Sequence, residues 1–176
     1  MVHEIILAGF GGQGTLSAGM LLAYAGMLDG KQVSWLPSYG PEMRGGTANS
    51  SVVISDNPVD SPVLNSAGAI IVMNKPSLEK FENCVVKDGI AIIDNSIIDR
   101  DVKRKDIRSY LVPATKIASD MGNKTFANII LLGKLINETG MVTVSNLEKS
   151  LYAVLSEKKH YMIPREMEAL KIGMEY

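Results

Sequence analysis

Short apolar runs alternate with helical segments along most of the chain. Strands are predicted at residues 2–8, 32–36, 49–55, 69–73, 89–94 and 108–112. Helices are predicted to follow the first, fourth and sixth of these strands, and helical periodicity continues from Thr125 to the C-terminus. This order predicts an α/β fold: a Rossmann-like, mixed and mostly parallel sheet with helices on both faces and a helical C-terminal part.

The link between the second and third strands departs from this alternation. Residues 37–48 contain no helical pattern, and a parallel crossover usually requires a helix. We therefore expect the strand at residues 49–55 to be antiparallel to its neighbours. Ser61 and Pro62 are predicted to start a short helical stretch.

Glycines interrupt the apolar stripes of two predicted helices. Gly19 and Gly26 lie in the first helix and Gly133 lies in a later one, and each costs about 1 kcal/mol relative to alanine. We expect all three to mark positions where a helix lies very close to a neighbouring element.

Length and charge set broad limits on the protein. A chain of 176 residues suits a single domain spanning residues 1–176, large enough to bury about 70% of its unfolded surface. The net charge of −1, with acids and bases scattered, indicates neither a nucleic-acid nor a membrane partner. The N-terminus does not resemble a secretory signal, and no apolar run reaches transmembrane length, so a cytoplasmic protein is expected.

The chain offers few residues for chemistry. Cys84 is the only cysteine, so the four thiolates that an iron–sulfur cluster normally needs are absent. His3 and His160 are the only histidines and do not form a zinc set; His160, among lysines, is predicted to be solvated. No nucleophile or phosphate-loop motif is present, and we assign neither catalytic residues nor metal ligands.

Two polar segments near the middle of the chain allow a functional and a structural interpretation. Asp94, Asn95 and Ser96 follow a predicted strand, where ligands gather in open α/β sheets. Turn formation or helix capping explains the same residues without a ligand, and we favour it. Residues 99–108 alternate in charge and are predicted to form a solvated connector.

A glycine turn follows the first strand. It reads Gly9-Phe10-Gly11-Gly12-Gln13-Gly14. Such a turn can bind a phosphate at the positive end of the following helix, but a dinucleotide site also needs an acidic residue about 20 residues further on, and the strand at 32–36 has none. The turn is therefore a tight structural corner, a site for another anion, or a contact for a partner's backbone. The candidate cofactor-binding residues are Gly9, Gly11, Gly12, Gln13 and Gly14.

A constrained loop, residues 37–49, joins the second and third strands; we call it the central loop. Its prolines fix φ, its glycines permit unusual backbone conformations, and it carries two opposite charges. We predict an interface or ligand loop; a surface turn is the alternative. The candidate residues are Ser38, Tyr39, Gly40, Pro41, Glu42, Arg44, Gly45, Gly46, Thr47 and Asn49.

Together the two motifs resemble the gamma subunit, or gamma domain, of the 2-oxoacid:ferredoxin oxidoreductases. Members of that family share the GxGGQG turn after the first strand and a Pro-x-x-Gly-Pro-Glu-x-Arg-Gly loop, here residues 9–14 and 37–45. The resemblance is close over the N-terminal third and looser beyond it. The sequence of the loop is most similar to that of 2-oxoglutarate or branched-chain members.

The resemblance implies a role in a larger enzyme. Such complexes decarboxylate a 2-oxoacid oxidatively to acyl-CoA and reduce ferredoxin, using thiamine diphosphate, Mg²⁺, iron–sulfur clusters and coenzyme A. By analogy this chain binds none of these alone, is inactive when isolated, and serves as a docking and substrate-handling domain for alpha, beta and possibly delta subunits. The alternatives are a free-standing nucleotide- or phosphate-binding module that uses the glycine turn, and a structural homodimer.

Overall fold

A computed structural model describes residues 1–38 and 48–176. The strands of this part are β1 (Val2–Gly9), β2 (Gln32–Ser38), β3 (Ala48–Ser55), β4 (Ala67–Val72), β5 (Val85–Asp94) and β6 (Arg108–Val112). The α-helices are α1 (Thr15–Leu28), α2 (Lys75–Phe81), α3 (Ala114–Asp120), α4 (Ala127–Thr139), α5 (Val144–Val154) and α6 (Ile163–Glu175). Short 3₁₀ turns are at Glu82–Cys84, Lys124–Phe126 and Glu157–Met162.

The strands form one mixed sheet in the order β2-β3-β1-β4-β5-β6. Pairing is parallel from β1 to β4, from β4 to β5 and from β5 to β6, whereas β3 is antiparallel to both β1 and β2. Five strands therefore run in one direction and β3 runs against them. The predicted antiparallel strand and the mostly parallel sheet are confirmed.

Both faces of the sheet are covered. Alternate residues of β1 separate the two cores: Ile5 and Leu7 join the larger one, and Ile6 and Ala8 join the smaller one. Helices α1, α3, α4, α5 and α6 contribute to the larger core, whereas α2 contributes Leu78 and Phe81 to the smaller one. The prediction of helices on both faces is confirmed, with most of the helical mass on one side. In the described ranges, no helix has the length and apolar character needed to cross a membrane.

The predicted glycine contacts are present. A Cβ on Gly19 would lie 2.3 Å from the Ser50 Oγ, and one on Gly26 would lie 3.1 Å from a methyl carbon of Val33. The tightest contact joins α4 and α6, where a Cβ on Gly133 would lie 2.1 Å from the backbone oxygen of Leu170. Gly173 of α6 approaches the backbone oxygen of Ile130 in the same way, at 1.9 Å.

The predicted helical stretch after Ser61 is wrong. Residues 57–66 form bends and irregular backbone with no helix. The hydroxyl of Ser61 accepts a hydrogen bond from the Val63 N–H at 3.1 Å, and this local bond gives the backbone an alternative to a helical turn.

The charged connector between β5 and β6 is only partly solvated, because Glu82 organises it. The Glu82 side chain, 5% exposed, accepts a hydrogen bond from Arg100 Nη2 at 2.8 Å and bonds from the N–H groups of Lys103 and Arg104. Burial opposes ionisation, but these donors outweigh it and lower the pKa of Glu82. The prediction of a purely solvated connector missed this buried carboxylate, which lies in a different part of the sequence.

The α4–α6 contact gives a direct test of the packing. Gly173→Ala places a methyl group against the immobile backbone of α4, so we expect the free energy of unfolding to fall by about 3 kcal/mol or more. Gly68→Ala in β4 is the control, because its nearest neighbour, the Glu4 oxygen, would be 3.7 Å away. Urea denaturation measures both variants, and equal small losses would contradict the close contact.

Candidate functional site

The direction in which the chain adds strands across the sheet reverses between β1 and β4. From β1 the chain crosses through α1 towards β2, whereas from β4 it crosses through α2 on the opposite face to β5. The carboxyl ends of two such strands border a crevice where ligands of open α/β sheets bind. The glycine turn leaves β1 at this crevice.

The backbone of the glycine turn requires glycine at two positions. Gly12 has φ +91° and Gly14 has φ +80°, both in the left-handed region. Gly14 is the N-cap of α1, and its carbonyl accepts a hydrogen bond from Asn128 Nδ2 of α4 at 3.0 Å. A Cβ on Gly14 would lie 2.2 Å from that nitrogen. The turn is therefore fitted closely to the helical layer.

The side chain of Gln13 bridges the crevice. Its Oε1 accepts a hydrogen bond from the Phe10 N–H at 2.6 Å, and its Nε2 donates to the backbone oxygen of Met73, just after β4, at 3.0 Å. The Gln13 N–H also donates to the Phe10 oxygen at 3.2 Å. Gly9 allows this approach, since a Cβ there would lie 2.6 Å from Gln13 Oε1. These bonds support the interpretation of the turn as a structural corner, with Gln13 lying between the two strand ends.

A cavity of about 400 Å³, which we call the front cavity, lies beside the turn. Its lining residues are Phe10, Gly11, Gly12, Gly14, Thr15, Leu16, Ser17 and Ala48. The first turn of α1 borders it and contains no acidic residue. The first N–H groups of a helix lack intrahelical partners and carry partial positive charge, so this cavity suits an anionic group.

The register of the sheet brings the C-terminal end of the central loop beside the glycine turn and leaves its N-terminal end one strand further away. Ser38 is opposite Asn49, Asn49 is opposite Ala8, and Ala48 is opposite Gly9. Ser38 is exposed and Asn49 is half-buried. The other candidate loop residues, Tyr39, Gly40, Pro41, Glu42, Arg44, Gly45, Gly46 and Thr47, lie outside the described residues.

Asp94 acts as a structural hydrogen-bond acceptor. The residue is fully buried, and its Oδ1 accepts from the Ser96 N–H at 3.1 Å and the Ser96 hydroxyl at 2.5 Å. Its Oδ2 accepts from the N–H and hydroxyl of Thr115, at 3.1 and 2.5 Å. Four donors occupy this carboxylate at the start of α3, which supports turn formation and capping over catalysis.

A second cavity of about 390 Å³, the rear cavity, lies between the glycine turn and helices α4 and α6 and was not predicted. Its lining residues are Gly12, Gln13, Gly14, Ser17, Leu21, Asn123, Thr125, Asn128, Ile129, Leu155, Lys159, Met162 and Glu166. Glu166 is 9% exposed, and burial raises its pKa although the nearby Lys159 charge opposes that effect. No local sequence pattern marks Glu166 as buried.

His160 is not the solvated residue that the sequence suggested. Its Nε2 lies 3.0 Å from the backbone oxygen of Leu155, and its ring meets that of Tyr152 edge to face at 5.2 Å. Over residues 1–38 and 48–176, no cluster of three or more His, Cys, Asp or Glu side chains could hold a metal ion.

These features define the class of protein: an α/β scaffold for binding or assembly, with a glycine turn held in place by the hydrogen bonds of Gln13. The chain belongs to the family described as pyruvate ferredoxin/flavodoxin oxidoreductase, which matches residues 4–176. The resemblance that the two motifs indicated is therefore confirmed.

Relatives within this family differ in length. The chain is 36% identical over 154 residues to the 2-oxoglutarate synthase subunit KorC of Methanocaldococcus jannaschii, covering 86% of this chain and 82% of that protein. It is 42% identical over 133 residues to the ketoisovalerate oxidoreductase subunit VorA of Methanothermobacter marburgensis, covering 76% of this chain but only 28% of that protein. The chain thus spans less than a third of the length of this longer relative.

A solved structure agrees with the fold. The gamma subunit of a keto/oxoacid ferredoxin oxidoreductase from Geobacter sulfurreducens matches with a TM-score of 0.83 and 27% identity, over 98% of this chain and 96% of that one. The α/β fold expected from the sequence is shared with this protein.

The bridge made by Gln13 can be tested by one substitution. Gln13→Glu removes the donor to Met73 and places a carboxylate near a carbonyl oxygen, so we expect a loss of about 1–3 kcal/mol in the free energy of unfolding. Gln32→Glu, the same change at an exposed position of β2, should cost less than about 0.5 kcal/mol. Thermal and urea denaturation measure both, and equal stabilities of the two variants would show that the bridge contributes nothing.

Proposed function

We propose that this chain is the gamma subunit of a multisubunit 2-oxoacid:ferredoxin oxidoreductase that acts on 2-oxoglutarate. The complex oxidises and decarboxylates the 2-oxoacid to acyl-CoA and reduces ferredoxin. The observation that carries the proposal is the match to the KorC subunit, which extends over most of both chains. A branched-chain 2-oxoacid is the second candidate substrate, because the VorA relative is more identical over a shorter region.

The partners in this proposal are alpha and beta subunits, with a delta subunit as a further candidate. Ferredoxin is a partner of the assembled complex and not of this chain alone. We treat residues 1–176 as one gamma-type domain. Thiamine diphosphate, Mg²⁺ and the iron–sulfur clusters belong to the other subunits in this account. The donor set of this chain does not fit a cluster, because Cys84 is its only thiol.

The front cavity is the proposed contact with coenzyme A. Backbone N–H groups at Gly11 and Gly12 and at the start of α1 would bind a phosphate group of this molecule. Gln13 and Gly9 would act indirectly, by fixing the turn. Arg44 in the central loop offers a planar fork suited to a phosphate or a carboxylate, and Ala48 at the C-terminal end of that loop lines the cavity.

The other functions considered from the sequence are less well supported. A free-standing phosphate-binding module would not account for a family match over residues 4–176. A structural homodimer would not account for the glycine turn and the charged central loop occurring together.

Arg44 provides the test. In a complex of this chain co-expressed with its alpha and beta subunits, Arg44→Ala should raise the KM for coenzyme A or weaken subunit retention by about 2 kcal/mol or more, because the paired anion would be left unmatched. Arg44→Lys keeps the charge but loses the fork, so its effect should be intermediate. The measurement is 2-oxoglutarate-dependent reduction of a viologen acceptor, with subunits quantified after gel filtration.

Two controls frame this experiment. Arg108→Ala changes an exposed arginine on β6, at the opposite edge of the sheet from the central loop, and should leave activity unchanged. The isolated wild-type chain should give no turnover with any 2-oxoacid. If both Arg44 variants match wild type in activity and subunit retention, the central loop is only a surface turn.

A further inference from the structure

Helix α1 is apolar on every side, although part of it lies at the surface. None of its 14 residues is charged, whereas α5 and α6 expose charged residues such as Glu148 and Glu168. A helix without a polar side is normally buried. In α1, however, Tyr24, Met27 and Leu28 are 37%, 48% and 42% exposed. The exposed part of α1 therefore has the composition of an interface.

Four apolar residues form a row along one side of α1, which we call the α1 stripe. They are Leu16, Met20, Ala23 and Met27. Their spacing of four, three and four positions places them on the same side of the helix. Gly19 and Gly26 face the sheet, and Leu21 faces α4 across the rear cavity. The stripe therefore lies on the side of α1 turned away from α4, along the outer edge of β2.

The neighbouring strand β2 ends the sheet. In the described part of the chain it pairs only with β3, in an unbroken register over all seven residues. None of these residues is charged, and Pro37 near the end of β2 is the only one of a kind that protects natural edge strands from further pairing. The other edge strand, β6, has five residues and begins with the exposed Arg108. The β2 edge is therefore the one open to another strand.

A two-fold axis beside β2 would bring both features onto a second copy of the chain. Two β2 strands paired about such an axis are antiparallel and about 4.8 Å apart. Because α1 contacts both β2 and β3, its axis lies about half a strand spacing inside β2, and the two α1 helices would be about 10 Å apart. Packed helices are about 8–10 Å apart. Edge pairing and helix packing are thus compatible in one arrangement.

The middle of α1 and the middle of β2 lie at the same level, as a single axis requires. Gly26 lies against Val33 of β2. Leu22, near the middle of α1, is four residues earlier in the helix, about 6 Å along its axis. The same distance along β2 is about two residues and leads from Val33 to Trp35, the central residue of the strand.

The α1 stripe is symmetric about this axis. In an antiparallel pair of α1 helices, Leu16 is opposite Met27 of the second copy, and Met20 is opposite Ala23. The long side chain of Met20 thereby meets the shortest side chain of the stripe. A surface without charges also has no need of an oppositely charged partner. These properties favour a second copy over a different subunit as the occupant.

We propose that two copies of this chain associate about a two-fold axis at Trp35, with paired β2 strands extending the sheet and the two α1 helices packed together. The interface adjoins the front cavity, which Leu16 also lines. The inference does not rest on the proposed function and is compatible with a complex that contains two gamma subunits.

Sedimentation velocity of the isolated full-length chain, whose monomer mass is 19.0 kDa, measures the association. We expect the wild-type chain to be a dimer at micromolar concentrations. Met27→Lys would bury an unpaired charge against Leu16 of the second copy, so the Kd should rise by about 30-fold or more. Met20→Ala removes contact area while favouring the helix, so the Kd should rise by about tenfold with α1 still folded.

The matched control is Leu111→Lys, because Leu111 is 41% exposed on β6 at the opposite edge of the sheet; its Kd should equal that of wild type. Hydrogen exchange tests the paired edge: the β2 amides should exchange more slowly in the wild-type dimer than in Met27→Lys. A monomeric wild-type chain, a dimer that neither stripe variant weakens, or equal weakening by the control would overturn the proposal. Equal exchange of β2 in dimer and variant would also overturn it. Each of these results leaves the proposed function standing.

Discussion

The hydrogen bonds of the Gln13 side chain are the constraint on which the site depends. One amide joins the Phe10 N–H of the glycine turn to the Met73 oxygen beyond β4, and so connects the two strands at which the sheet changes direction. Because α1 begins at Thr15, two residues after Gln13, the bridge also sets where the helix starts. The front and rear cavities both border the glycine turn, and Gly12, Gly14 and Ser17 line both of them.

The helical layer also holds the glycine turn in place, through close backbone contacts. Asn128 of α4 holds the Gly14 carbonyl, and α4 in turn packs against α6 through Gly133 and Gly173, where no side chain could fit. Glu166 lies in the first turn of α6. A chain of contacts therefore connects the glycine turn to Glu166, and the front and rear cavities share one rigid support.

Much of the fold could be predicted from the sequence because its signals are local. Apolar runs marked the strands, and the helix-free link before Ala48 predicted the antiparallel strand β3. Buried ionic groups could not be predicted in this way. Glu82 collects donors from residues about twenty positions away, and Glu166 is buried by elements that meet only in the folded chain. The glycine turn was identified from its motif, but the role of Gln13 depends on Met73, sixty residues further on.

The central claim is that the glycine turn is a preformed corner, and native-state hydrogen exchange of the Phe10 amide in the isolated chain tests it most directly. If Gln13 braces the turn, this amide should be protected to within about tenfold of the Leu7 amide in the core of β1, and adding coenzyme A or partner subunits should change it little. Exchange of the Phe10 amide at the rate of an open loop, with protection appearing only after coenzyme A or a partner is added, would contradict the account.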